Sequence, residues 1–157
     1  MLIDLVVSPF LFFVRNLFFM SSYAIGLDLT GSDCLAQDLF PVVQMIRQEL
    51  VEHESVLFYI PLELKAEFET FLQPEDHPYF EVKYVEQTIS MDDSPLHAVR
   101  RKRESSIVQA TKALAEKRLG GFVTAGNTGA CVAAATMYLP KLSGIERPAL
   151  LVALPTR

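Results

Sequence analysis

The sequence has 157 residues, 50% hydrophobic and 21% charged, with a formal net charge of −5 and 2 cysteines. That length suits one domain with a single sizeable core, and the composition is that of a globular chain rather than a disordered one. The acidic balance argues against a nucleic-acid binder, whose affinity comes mainly from neutralising phosphates.

Cys34 and Cys131 are far apart and lack CxxC or metal-ligand spacing, which suits free thiols in a reducing cytoplasm. Residues 1–19 are rich in Leu, Val and Phe, but Asp4 and Arg15 interrupt them. The apolar run Leu5–Val14 is far short of the ~20 residues that span a bilayer. An acidic early charge and no clear small-residue cleavage site argue against a signal peptide. Met20-Ser-Ser-Tyr-Ala-Ile-Gly-Leu-Asp28 reads as a natural protein start. Residues 1–19 are therefore expected to be an apolar N-terminal extension from an upstream initiation codon, and 20–157 an α/β domain.

From Tyr23 strand and helix signals alternate. Ala24–Leu29 reads as a short apolar strand running into the polar loop Thr30-Gly-Ser-Asp33. Leu39, Val42, Val43, Ile46 and Leu50 recur at helical spacing and predict an amphipathic helix over 37–52. A strand over 56–60, closed by Pro61, a short helix over 64–72 and a strand over 79–85 come next. Residues 87–95 read as loop. Ile107, Val108, Ala110, Ala113 and Leu114 predict a helix over 105–119. A strand over 122–124, a helix over 127–138 and a strand over 149–154 complete the pattern. Such alternation needs crossover connections and predicts a mostly parallel sheet. The sequence stops directly after its last strand, as expected of a partial domain.

Ligands of open α/β sheets sit beyond the carboxyl ends of the strands. Three polar loops fall there: 30–33, 91–106 and 124–129. In the last, Gly126 and Gly129 flank Asn127-Thr128 at a helix start, where free N–H groups favour an anion. Asn or Thr as a plain helix cap is the competing reading. The turn is neither GxGxxG nor a Walker loop. In the second loop, Arg100-Arg-Lys-Arg103 precedes Ser105-Ser106, a helix-capping pair, and makes a second anion site; a solvated basic face is the alternative. A triad from Asp92 or Asp93, His97 and Ser105 is poorly supported, because no GxSxG elbow exists. His53 and His77 read as surface residues. No metal-ligand cluster is visible.

Pro95-Leu-His-Ala-Val-Arg-Arg-Lys-Arg-Glu-Ser-Ser106, Thr124-Ala-Gly-Asn-Thr-Gly-Ala130, Arg147-Pro-Ala149 and Leu154-Pro-Thr156 together resemble the phosphate acyltransferase family of bacterial phospholipid synthesis. Gly26-Leu-Asp28 with Thr30-Gly-Ser-Asp33 resembles that family's first glycine-rich loop, though the usual Met-Gly-Gly-Asp run is altered and Thr124 stands where Ser is usual. The resemblance runs from Tyr23 to the last residue and covers the N-terminal half of a family member.

It implies a three-layer α/β fold of isopropylmalate-dehydrogenase-like architecture, truncated here, with a mostly parallel sheet and helices on both faces. It also implies transfer of a fatty acyl group from acyl carrier protein to inorganic phosphate, with no cofactor and no metal. A homodimer and peripheral contact with the inner membrane face are compatible with it. For the attack of phosphate on a thioester, Asn127, Lys102 and Asp33 are the candidate catalytic residues, with backbone N–H groups near Gly126 to Thr128 or the Asn127 side chain as oxyanion donors. Gly31, Arg100, Arg103, Ser105, Ser106, Gly126, Thr128 and Gly129 are the candidate substrate-binding residues. A truncated, non-catalytic module binding phosphate or a partner is the alternative. An oxidoreductase of related architecture ranks below it, since no nicotinamide fingerprint is present.

Overall fold

Four short runs rich in β-branched, aromatic and leucine side chains form the sheet: β1 (Ala24–Asp28), β2 (Val56–Pro61), β3 (Phe80–Val85) and β4 (Leu119–Thr124). The computed structural model describes residues 24–31, 36–50, 55–76, 78–146 and 149–150. The extension 1–19, Asp33, Cys34, His53, His77 and residues 151–157 lie outside them. The strands are parallel and ordered β3-β2-β1-β4. β1 to β3 step outward on one side and the chain then returns to lay β4 on the other. The point where the order reverses lies between β1 and β4, where α/β sheets open a crevice.

Parallel strands are covered on both faces, and here each face has its own layer. Ile25, Leu27, Phe58 and Ile60 point toward α1 (Ala36–Leu39), α2 (Val42–Glu49) and α3 (Lys65–Glu69), where Phe40, Val43, Ile46 and Phe68 are buried. Phe58 meets Phe68 and Phe80 there with ring centroids 5.3 Å apart in both pairs. On the other face α5 (Ser106–Ala115) covers Tyr59, Val85 and Leu119 with Ala110 and Ala113. Beside it, α4 (Pro95–Arg101) and α6 (Thr128–Tyr138) pack through Ala98, Val99, Ala130 and Ala134. The register of β1 on β4 slips between Ala24 and Ile25, which puts Leu119 and Phe122 on one face although they are three apart.

The expected α/β architecture stands, with corrections at several boundaries. The predicted helix over 37–52 is two helices, because Pro41 has no N–H to donate and starts α2 instead. The short helix over 64–72 is a 3₁₀ turn at Leu62–Leu64 followed by α3, ending at Glu69. Helix α5 ends at Ala115, and Lys117 takes φ 59° to turn the chain, so Leu119 belongs to β4. The loop expected over 91–106 contains α4. Pro95 begins it at a position where the fixed φ suits a helix, and Arg100 and Arg101 lie in its last turn, where cations complement the helix dipole. Ala149 and Leu150 are not in a strand, and the remainder of the strand expected over 149–154 lies outside the described residues.

Candidate functional site

The carboxyl ends of β1 and β4 carry the polar residues that converge. Asp28 and Thr124 end their strands in direct register. Asp28 is 1% exposed, and every group hydrogen-bonded to it donates. Thr30 gives its amide (3.0 Å) and its hydroxyl (2.6 Å) to Oδ1, while the Thr124 hydroxyl gives to Oδ2 at 2.8 Å. Thr124 Oγ1 in turn accepts the Gly126 amide at 2.9 Å. The Ser106 hydroxyl, at the head of α5, stands 3.4 Å from Thr30 Oγ1. Burial pushes the Asp28 carboxyl above its usual range, and bonds from Thr30, Thr124 and Ser106 pull it back. Among the described residues no cation pairs with it.

The loops beyond these strands touch. A Cβ on Gly126 would lie 2.8 Å from the Thr30 carbonyl oxygen, and one on Gly31, at φ 75°, would lie 2.4 Å from that of Ile89. Gly31 and Gly126 thus serve the close approach of three backbone segments. Gly129 serves packing as well: its missing Cβ leaves room for Pro95, whose Cγ would be 2.7 Å away.

Asn127 is the N-cap of α6, its Oδ1 accepting from the Ala130 amide at 2.9 Å. Its Nδ2 donates to the carbonyls of Ser90 (3.0 Å), Met91 (3.3 Å) and Asp93 (3.3 Å). The cap reading of the turn therefore holds, and the same side chain also holds the loop 88–94. Lys102 grips that loop from its other side, donating to Thr88 O at 2.9 Å and pairing with Asp93 at 2.5 Å. The Lys102 ammonium beside Asp93 holds that carboxyl below the usual range.

The amides of Thr128 and Gly129 have no acceptor among the described residues. Both residues are exposed, so this helix start faces solvent with two free donors. Arg100 and Arg103 are exposed too, and Arg103 Nε donates to Arg100 O at 3.3 Å within its own segment. Ser105 occupies the N-cap of α5 but makes no cap bond, and its fully buried hydroxyl has no partner among the described residues. The expected capping pair therefore divides: Ser106 joins the Asp28 network and Ser105 does not. Asp93 is engaged by Lys102 and Ser105 is unpaired, so no Asp-His-Ser triad forms. Cys131 lies in the first turns of α6, and burial, with the nearby Asp28 charge, pushes its thiol up. It is held as a thiol rather than a thiolate nucleophile.

The network's centre, Asp28, is absent from the candidates chosen from sequence. Its signal was a lone acid closing an apolar strand. The role of the loop 88–94 had no sequence signal, since its contacts are made by main-chain carbonyls.

Residues 23–157 match a family described as fatty acid synthesis protein. The phosphate acyltransferase of Macrococcus caseolyticus (strain JCSC5402) is 33% identical over 132 residues, which are 84% of this chain and 38% of that protein. That of Dictyoglomus turgidum (strain DSM 6724 / Z-1310) is 35% identical over 137 residues, with the same shares of 84% and 38%. That of Acidobacterium capsulatum is 47% identical over 76 residues, 48% of this chain and 23% of that protein. The chain thus spans 38% of the length of the first two. Among the described residues no helix is long and apolar enough to cross a membrane, and no three His, Cys, Asp or Glu cluster as metal ligands.

Proposed function

The chain belongs to the fatty acid synthesis protein family, and from that premise we propose that it forms the phosphate-binding part of a phosphate acyltransferase. The observation that carries the reading is the pair of free amides, Thr128 and Gly129, at a helix start beside the β1/β4 crevice. An anion there meets N–H donors and the positive end of α6. Arg100 and Arg103 supply exposed positive charge on a neighbouring helix end, and Ser105 and Ser106 line the head of α5.

In the proposed reaction a phosphate oxygen attacks the carbonyl carbon of a fatty acyl thioester on acyl carrier protein. A C–O bond forms, the C–S bond breaks, and the sulfur leaves as a thiolate that takes a proton from solvent. A thiol of pKa about 8.5 leaves without strong acid help. The free amides at 128 and 129 divide between the phosphate and the tetrahedral oxyanion, because the Asn127 amide is committed to the loop 88–94. Asn127 and Lys102 serve by holding that loop. Asp33, outside the described residues, remains a candidate from its place after Gly31. Homodimer formation and contact with a membrane surface belong to the same proposal.

A binding module that turns nothing over is the second reading, favoured by the commitment of the Asn127 and Lys102 side chains to the loop 88–94. Calorimetry with inorganic phosphate tests the first part: binding that weakens in Arg100→Ala/Arg103→Ala is expected, and no heat with the parent chain rejects it. Acyl phosphate formation, assayed with the chain joined to the remainder of a relative, separates the enzyme from the module.

A further inference from the structure

We infer that Asp28 is a positioning residue of the phosphate crevice, its carboxylate fixing the Gly126 turn through Thr124 and both the β1 loop and the head of α5 through Thr30 and Ser106. The inference rests on the phosphate reading above.

A carboxylate that is 1% exposed and has no counter-ion among the described residues is costly to keep. An apolar side chain of similar size would serve the core better, so the charge has a use other than stability. Its surroundings point to that use. The three hydroxyls gathered here come from the loop after β1, from β4 and from α5, with Thr124 96 residues from Asp28 and Ser106 76 residues from Thr30. Each stands where its element meets the crevice.

The direction of the bonds follows from the main chain. Gly126 N–H can only donate, so Thr124 Oγ1 accepts it and has its own proton left for Asp28 Oδ2. The Thr30 amide likewise can only donate to Oδ1. Thr30 has given its hydroxyl proton to Oδ1, so toward Ser106, 3.4 Å away, it offers only a lone pair, and the one Ser106 proton is shared between Thr30 Oγ1 and the Asp28 carboxyl. With both carboxylate oxygens accepting, this one group sets the orientation of the hydrogen-bond network. Two and three residues past the fixed Gly126 amide stand the open amides of Thr128 and Gly129. Without the acceptor at Oδ2, Thr124 loses the bond that orients it and the Gly126 turn loses its anchor.

The test titrates inorganic phosphate into the full chain and its Asp28→Asn, Thr124→Val and Thr124→Ser variants, with thermal melts of each. Asp28→Asn and Thr124→Val are expected to weaken phosphate about tenfold or more, the loss of hydrogen bonds to a charged group. Thr124→Ser restores the hydroxyl and is expected to keep the parental Kd. Variants that melt lower yet bind phosphate with the parental Kd overturn the inference, leaving a purely structural carboxylate. If Asp28→Asn fails to fold, the Thr124 pair decides alone: equal affinity of Val and Ser overturns it. A parent chain that binds no phosphate removes the phosphate reading and this inference together, an outcome distinct from a parent that binds and an Asp28→Asn that binds equally.

Discussion

Arg47 reaches from α2 to hold Asp76 in a two-point grip, Nε to Oδ1 at 2.6 Å and Nη2 to Oδ2 at 2.5 Å, and also donates to Phe71 O at 3.0 Å. The guanidinium bond is the largest influence on Asp76 and lowers its pKa, whereas desolvation is the largest on Asp28 and raises its pKa. The two carboxyls therefore link stability to pH with opposite signs. Unfolded, each titrates near ~3.9. Asp76, lowered in the folded state, contributes stability that is present above that value and lost as pH falls through its folded pKa. Asp28, raised in the folded state, contributes stability that is present below ~3.9 and lost as pH rises through its folded pKa. Urea melts across pH should show Arg47→Met costing about 2 kcal/mol at neutral pH, with a shallower acid-side slope. The same melts should show the parent losing stability relative to Asp28→Asn as pH rises above the ordinary carboxylate range. Parallel profiles for parent and Asp28→Asn would mean that Asp28 is not desolvated in solution.

Helix α6 shows how a short polar turn governs an element. Thr128–Tyr138 is almost wholly small or apolar, so its N-terminus is defined by Asn127 alone. Gly129 then brings α6 against Pro95 of α4, which places the Asn127 amide within reach of Ser90, Met91 and Asp93. The sequence offers the glycines of the turn at 126–129 as room for an anion; the structure adds that a Cβ at Gly126 would meet Thr30 and one at Gly129 would meet Pro95. Spacing along the chain identifies a glycine that is needed and is silent about the neighbour that needs it. A double-mutant cycle follows at this scale. Gly129→Ala is expected to cost at least about 1 kcal/mol more in the parent than in a Pro95→Ala background, where the ring carbon it strikes is gone. Chemical denaturation measures it, and equal costs in both backgrounds would mean that α6 relaxes without touching α4.

At the scale of the whole molecule the sheet separates support from site. The aromatic layer of Phe40, Phe58, Phe68 and Phe80 lies under α1 to α3, while Asp28, Thr124 and the helix starts lie on the other face or at the strand ends. Phe58→Leu, at a fully buried position, should cost about 1–2 kcal/mol of stability and leave phosphate affinity unchanged among folded molecules. A parallel loss of affinity and stability, measured by calorimetry well below the melting temperature, would show the faces to be coupled. The sequence by itself determined the α/β class, four of the five strands it predicts and the family resemblance. Those rest on hydrophobic period, β-branched runs and a local order of motifs, all of which are properties of neighbouring residues. Only the tertiary structure decided that Asp28, Thr30, Ser106 and Thr124 form one network, and that Asn127 and Lys102 hold the loop 88–94. Residues of β1, α5 and β4 meet there because a parallel sheet reverses its order between β1 and β4, and that reversal joins segments far apart in the chain that no sequence period relates.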